Sequence, residues 1–303
     1  MDSLKNLILT FTNNLKIFFI TWVVSFLILA GISFIIPEIY KSEMTLVTSE
    51  DSKGEFQSLG SAGALASLAG ISLDSEVSRS QIALAKIRSK SFFIEVINNH
   101  ADQILPGLVA AKSYNKRDKE IIYNEKIYSN GVWYGNKDYD IFEKVFIEEA
   151  YLKYLKNLRV NENRLTRLIT VSYDHVSPAF AYEILRIILD QINKSERNTD
   201  QMEAEYAIDF INSSLGRYSN EEVRRSASDL LERQLVTLMV TKSKKYYLLE
   251  PIDGPHIPAK RNFPSRTMIV LVGEIIISMI LFLWLYFRQE LKVLFASIEV
   301  ESK

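Results

Sequence analysis

Histidine, cysteine and paired carboxylates carry most protein chemistry, and this chain of 303 residues places them poorly for it. Its three histidines, His100, His175 and His256, lie far apart, with neither a His-x-x-His nor a His-Glu-x-x-His spacing. Each reads as a surface or hydrogen-bonded histidine rather than a metal ligand. Cysteine is absent, which removes disulfides, thiolate nucleophiles and thiolate metal sites. No Gly-x-x-x-x-Gly-Lys-Ser/Thr loop is present to cradle phosphates, and no serine stands in a Gly-x-Ser-x-Gly elbow. Carboxylates are abundant but scattered over charged helical stretches. One is different: Glu274 sits inside a long apolar run, where an ionisable side chain is a functional-site candidate by default. The plainer reading has it protonated, or reaching a helix interface or the polar headgroups. The residues predict a protein that is not an enzyme and holds no cofactor or metal.

Two apolar runs must position Glu274 and everything else. Residues 17–36 (IFFITWVVSFLILAGISFII) and 267–287 (TMIVLVGEIIISMILFLWLYF) are each about the 20 residues a helix needs to cross a bilayer. The first is too long for the apolar part of a cleaved signal, and Pro37-Glu38-Ile39-Tyr40 after it is no small-residue cleavage site, so it reads as an anchor. The expected layout is a tail at 1–16, a span at 17–36, a water-facing domain at 37–266, a span at 267–287 and a tail at 288–303. Lys5 and Lys16 before the first span, with Arg288 and Lys292 after the second, place both tails on the cytoplasmic side. Lys+Arg and Asp+Glu nearly balance, 36 against 37, which argues against a nucleic-acid binder.

Within the domain, residues 40–49 (YKSEMTLVTS) read as a strand leaving the membrane, and 51–73 as a loop rich in Gly, Ala, Ser and Leu. Its small residues suit a surface loop, or a close approach to a neighbouring subunit. A helical pattern runs over 74–99, with Val77, Ile82, Leu84, Ile87, Phe92, Ile94 and Ile97 mostly on one side, until Pro106-Gly107 breaks the region. The polar, Tyr- and Lys-rich stretch 110–140 is expected to be irregular. A helix is expected at 142–158, with Phe142, Val145, Phe146, Ala150, Leu152 and Leu155 inward. Two strand-like pieces follow in 158–174, of which 168–173 is the stronger. Ser177-Pro178 suits a helix start: the serine accepts from orphan N–H groups and proline fits the first helical position. No Pro or Gly then occurs from 179 to 215, so one helix of roughly 55 Å is expected, apolar in its first half and charged in its second. Such a helix projects from the core or packs among subunits. After a break at 216–220, a helix at 221–244 and a last strand at 246–252 are expected. Trp133 and Tyr134 are aromatic candidates for stacking on sugars, with local packing as the plainer reading.

Four of the seven prolines, Pro251, Pro255, Pro258 and Pro264, fall in residues 251–264 (PIDGPHIPAKRNFP). Proline fixes φ and removes a donor, so this stretch is excluded from helix and from central strand, and reads as a stiff spacer leading into the second span.

In their order along the chain, these features resemble the bacterial polysaccharide co-polymerases, the Wzz-type chain-length determinants. The loop SLGSAGALASLAGISL resembles that family's small-residue stretch, and Tyr173-Asp174-His175-Val176-Ser177-Pro178-Ala179 its strand-to-helix junction. The closing segment resembles the family's Pro-rich pattern through Ile252-Asp253, Pro258, Pro264 and Arg266. It departs at Gly254-Pro255-His256, where a Pro-Ala pair is usual, and at Glu274, where the family favours glycine and apolar residues; only Gly273 keeps that habit. The resemblance implies an α+β fold: two transmembrane helices flanking a large periplasmic α/β domain with a long protruding helix, in the bacterial inner membrane. It implies a ring-like homo-oligomer that sets the length of a lipid-linked, O-antigen-type surface polysaccharide made by a separate Wzy-type membrane polymerase. The growing glycan and membrane lipids are further expected partners; nucleic acid is not. The 16 residues after the second span contain no tyrosine, so the likeness is to the kinase-free branch. Pro251, Asp253, Pro255, Pro258, Pro264, Arg266, Gly273 and Glu274 are the candidate structural or interaction residues. Two other readings share the layout: an adaptor for polysaccharide export, and a two-span periplasmic sensor, which would need a cytoplasmic output module.

Overall fold

The computed structural model describes residues 15–49, 79–134, 139–163, 165–215 and 221–301. The loop at 51–73 and the break at 216–220 lie outside the described residues. The chain begins with α1 (Leu15–Ile35) and β1 (Tyr40–Thr48). Then come α2 (Arg79–Ile87), α3 (Lys90–Leu105), a wide π-type turn at Pro106–Ala110, and the strands β2 (Ala111–Asn115), β3 (Glu120–Tyr123), β4 (Tyr128–Ser129) and β5 (Val132–Trp133). α4 (Tyr139–Asn157), β6 (Leu158–Glu162) and β7 (Ile169–His175) lead to α5 (Pro178–Leu215), α6 (Glu221–Ser243), β8 (Leu249–Asp253) and α7 (Arg266–Glu301). The fold is mixed α and β, as expected. It divides into two compact units, one of residues up to Ile39 with those from Arg261 on, the other Tyr40–Lys260.

The larger unit is built on an antiparallel sheet in the order β6-β7-β1-β8. Burial along β1 alternates strictly, so Tyr40, Met44 and Leu46 point into the core while their neighbours face outward. The first half of α5 lays Ile184, Leu185, Ile188 and Ile192 on this layer. Ser177 starts that helix as the sequence predicts, its Oγ accepting from the Phe180 N–H at 3.3 Å. The second half of α5 packs against α6 and leaves Met202, Tyr206 and Phe210, four residues apart, 63–76 % exposed.

Four expectations need correction. Of the helix predicted at 74–99, residues 74–78 lie outside the described residues and the rest is two helices: Ser89 breaks the run, and its Oγ accepts from Phe92 N at 3.2 Å to cap α3, which continues to Leu105. Tyr151 and Tyr154 donate to the carbonyls of Arg88 and Ile87 where α2 ends, both at 2.8 Å. Accordingly Leu152, expected inward, is exposed, and Tyr154 takes the core position. The region expected to be irregular instead holds two hairpins within 111–134. Asn130 and Gly131, both at positive φ, form the tight turn between β4 and β5. The last strand lies at Leu249–Asp253 rather than 246–252, and Pro251 is tolerated there because β8 is an edge strand.

In the smaller unit α1 and α7 run antiparallel: Phe18 lies beside Phe282, Ser25 beside Glu274 and Phe34 beside Arg266. Both helices are long and apolar enough to cross a membrane, over Leu15–Ile35 and Arg266–Leu285, with mean hydropathies of 2.4 and 2.6. Only 11 % of each window is buried, which separates them from the core helices of a soluble protein. Arg266 stacks on Phe34 at 4.3 Å and Arg288 on Trp284 at 5.2 Å. Along α7 these two basic–aromatic pairs are about 33 Å apart, close to the thickness of a bilayer's hydrocarbon layer.

Candidate functional site

Of the eight candidate residues, Pro264, Arg266, Gly273 and Glu274 belong to the smaller unit; Pro251, Asp253, Pro255 and Pro258 belong to the larger. Pro251 pairs with Leu46 and Asp253 with Thr45 across a register shift in the β1–β8 ladder. Pro255 and Pro258 are half-buried in a stretch with no helix or ladder, as the proline content predicts. The Ser42 hydroxyl holds this stretch by donating to the His256 carbonyl at 2.7 Å. His256 is thus a tether point through its backbone.

At the foot of the smaller unit, the chain leaving α1 forms an antiparallel bridge with the chain approaching α7. Ile39 N donates to Phe263 O at 2.8 Å, and Ile39 O accepts from Asn262 N and Phe263 N. Pro264, buried, follows a cis peptide bond. One carboxylate oxygen of Glu38 accepts from both Arg261 and Arg266, each at 2.9 Å. Two guanidinium groups therefore share one carboxylate.

Between the helices, Gly273 is where the backbones come close. A Cβ at this position would lie 2.6 Å from Leu29 Cδ1, so any side chain here must displace that leucine. One residue on, Glu274 is 8 % exposed. Its carboxyl oxygens lie 2.8 and 3.0 Å from Ser25 Oγ, which also lies 3.1 Å from the Trp22 carbonyl. A hydroxyl has one hydrogen and here faces three acceptors. The arrangement is a polar clasp between two apolar helices, and it favours the helix-interface reading of Glu274.

A substitution pair checks this. With Phe18 and Phe282 replaced by cysteines in this otherwise Cys-free chain, Glu274→Gln is expected to leave disulfide formation between them unchanged, because the amide oxygen still accepts from Ser25. Glu274→Leu is expected to lower the yield about three-fold, from the ~0.6 kcal/mol typical of an interhelical hydrogen bond in a membrane. Equal loss in both variants would show that the clasp needs the acid itself.

Sequence reasoning missed Ser25, Ser33 and Glu38. The serines are spaced eight apart with Leu29 midway, on one face of α1, and that polar spacing within an apolar run was the available signal. It also passed over Asn193 on α5. This buried side chain accepts from the N–H groups of Tyr247, Leu248 and Leu249 at 2.8–3.0 Å, and donates to the carbonyls of Leu189 and Leu249, both at 2.9 Å. His175 is buried and satisfied. Its Nδ1 accepts from Ser177 N at 3.0 Å, which leaves Nε2–H to donate to the Gly107 carbonyl at 3.0 Å. Burial holds its pKa down to about 4, and the Gly107 carbonyl pulls weakly the other way. Trp133 packs between Tyr128 and Phe146, with ring centroids 4.6 and 4.8 Å away, so its role is local packing; Tyr134 is exposed. Among the described residues no three His, Asp or Glu side chains gather as metal ligands would.

No family model and no curated protein matches the chain. Among solved structures it is similar to a full-length bacterial polysaccharide co-polymerase, at 10 % identity and a TM-score of 0.40, over 94 % of this chain and 97 % of that one. It is also similar to a fragment of WzzB, a polysaccharide co-polymerase from Salmonella Typhimurium, at 14 % identity and a TM-score of 0.30, over 75 % of this chain and 100 % of the fragment.

Proposed function

We propose that this chain is a two-pass bacterial inner-membrane protein, with its main domain in the periplasm, that regulates the length of a lipid-linked surface polysaccharide. It acts without catalysis, as an oligomeric scaffold beside a separate membrane polymerase of the Wzy type, on a polymer of the O-antigen class. What carries this reading is the correspondence between sequence motifs and their places in the fold. The junction from Tyr173 to Ala179 ends a sheet strand and caps a 38-residue helix. The segment from Pro251 leaves an edge strand and leads into an apolar helix long enough to span. The exposed Met202, Tyr206 and Phe210, together with Leu235, Val236 and Met239 on α6, support self-association, since such apolar surface favours burial against a second copy. The candidate prolines, Asp253 and Arg266 then serve as the connection between domain and membrane, and Gly273 with Glu274 as the packing face of the second span.

The test is the length distribution of surface polysaccharide on a gel. Deleting the gene is expected to replace a modal length by a steadily decaying ladder. Tyr206→Asp with Phe210→Asp is expected to do the same while the protein still reaches the membrane. An unchanged distribution in the deletion strain would sink the proposal. Loss of all surface polymer would favour the export adaptor instead.

A further inference from the structure

We propose that the cleft between α1 and α7 is a binding site for one anionic phospholipid, its phosphate held at Arg266 and Ser33 and an acyl chain laid along the cleft. The inference requires only that the two helices lie in a bilayer; it does not depend on the chain-length reading.

The cleft has a volume of about 570 Å³. Its walls are apolar over most of their length, with Trp22, Phe26, Leu271 and Ile275 among them. Three of its four polar residues gather toward one end, Ser33 from α1 with Arg266 and Thr267 from α7; the fourth, Glu274, lies two turns further along α7 with its carboxyl group engaged by Ser25. Two of these carry buried polar atoms with no hydrogen-bond partner, Ser33 Oγ and Arg266 Nε. Among the described residues only two other side-chain atoms share that condition, Tyr173 Oη and Arg197 Nε, and both are in the larger unit. Ser33 is 1 % exposed. A serine in an apolar helix ordinarily bonds to a carbonyl of the preceding turn, as Ser25 does to Trp22. Ser33 does not, and at this burial water does not reach it to replace the missing partner. Two donors without acceptors in the wall of one cleft call for an acceptor supplied from outside the chain.

Charge gives the sign. Arg261 and Arg266 share Glu38, so this cluster carries one positive charge in excess. A phosphate would complete it and accept from the guanidinium in a charge-assisted bond. Free phosphate would leave the apolar walls unused. An ethanolamine or choline head would bring a second cation to a place already rich in them. A lipid with a net negative head satisfies the donors, the charge and the walls together.

The experiment is native mass spectrometry of the full chain in detergent, titrated with phosphatidylglycerol or with phosphatidylcholine. One phosphatidylglycerol per chain is expected to be retained about fivefold more than phosphatidylcholine, the ratio one interfacial basic contact gives. Arg266→Gln is expected to remove that preference, while Arg288→Gln, beyond the other end of the apolar span, keeps it. Leu271→Trp narrows the cleft without changing charge, and is expected to reduce retention by a similar factor with Glu38 and Arg266 intact. Equal retention of the two lipids, an unaffected Leu271→Trp variant, or equal loss in Arg288→Gln would overturn the site. A polyprenyl phosphate that displaces phosphatidylglycerol at equal concentration would overturn the phospholipid assignment.

Discussion

Asn193→Ala is expected to lower the unfolding free energy of the detergent-solubilised chain by about 3–5 kcal/mol. The side chain is the acceptor for three consecutive backbone N–H groups, those of Tyr247, Leu248 and Leu249, and a donor to Leu249 O. Alanine would strand all of these in a buried place, and each unsatisfied group costs about 1–3 kcal/mol before local rearrangement. Asn193→Asp keeps an acceptor for the three N–H groups and loses only the donors, so it should be the milder change. Urea titration by circular dichroism checks both. If alanine costs less than about 1 kcal/mol, water has taken the asparagine's place and the clamp is not what orders the approach to β8.

The second large effect is on pH. A histidine held near a pKa of 4 when folded, against about 6.5 when unfolded, binds its proton more readily in the unfolded chain. Over the interval from about 6.5 down to about 4, stability must therefore fall as pH falls. The stabilisation is fully present above 6.5 and about 3 kcal/mol is lost once both states are protonated. Protonating Nδ1 would also break the bond from Ser177 N, and the crowding around the ring leaves no room for water. Phe180 packs on His175 at 4.2 Å, and a Cβ on Gly107 would lie 2.2 Å from the Phe180 ring. His175→Gln is expected to flatten this part of the stability–pH curve while carboxylates still act at lower pH. Identical slopes in the parent chain and the variant would mean that His175 is already open to solvent.

Much of this architecture was legible because local chemistry and tertiary packing agreed. The Ser177-Pro178 start of α5, the two apolar runs and the alternation along β1 each carry their own signal. The split at Ser89 was hidden because Arg88-Ser89-Lys90 contains neither glycine nor proline and the apolar spacing carries through it; two tyrosines from α4 enforce the break from a distance. The hairpins in 111–134 are short, and their strands are too brief to show a period. Asn130-Gly131 was the readable sign of a tight turn, and it was masked by the polar composition around it. In the candidate site, Glu274 announced itself by charge alone. Its partner Ser25 did not, because serine is common in apolar helices and only the pairing of α1 with α7 selects which one matters.

The clamp at Asn193 has a mechanical consequence. From there to Leu215, α5 runs on for about 33 Å without the sheet beneath it, braced by α6. This is a cantilever, and in a cantilever the bending moment peaks at the root. The root is where the polar ties gather, within two turns of helix. Asn193 grips the backbone before β8, and Ser195 donates to Glu95. Glu196 pairs with Lys86 at 2.5 Å. Arg197 donates to the carbonyls of Lys244 and Lys245 where α6 returns, and Tyr247 donates to Asp200. A sideways load at the far end would reach the sheet through these few bonds, so this joint sets the stiffness of the beam.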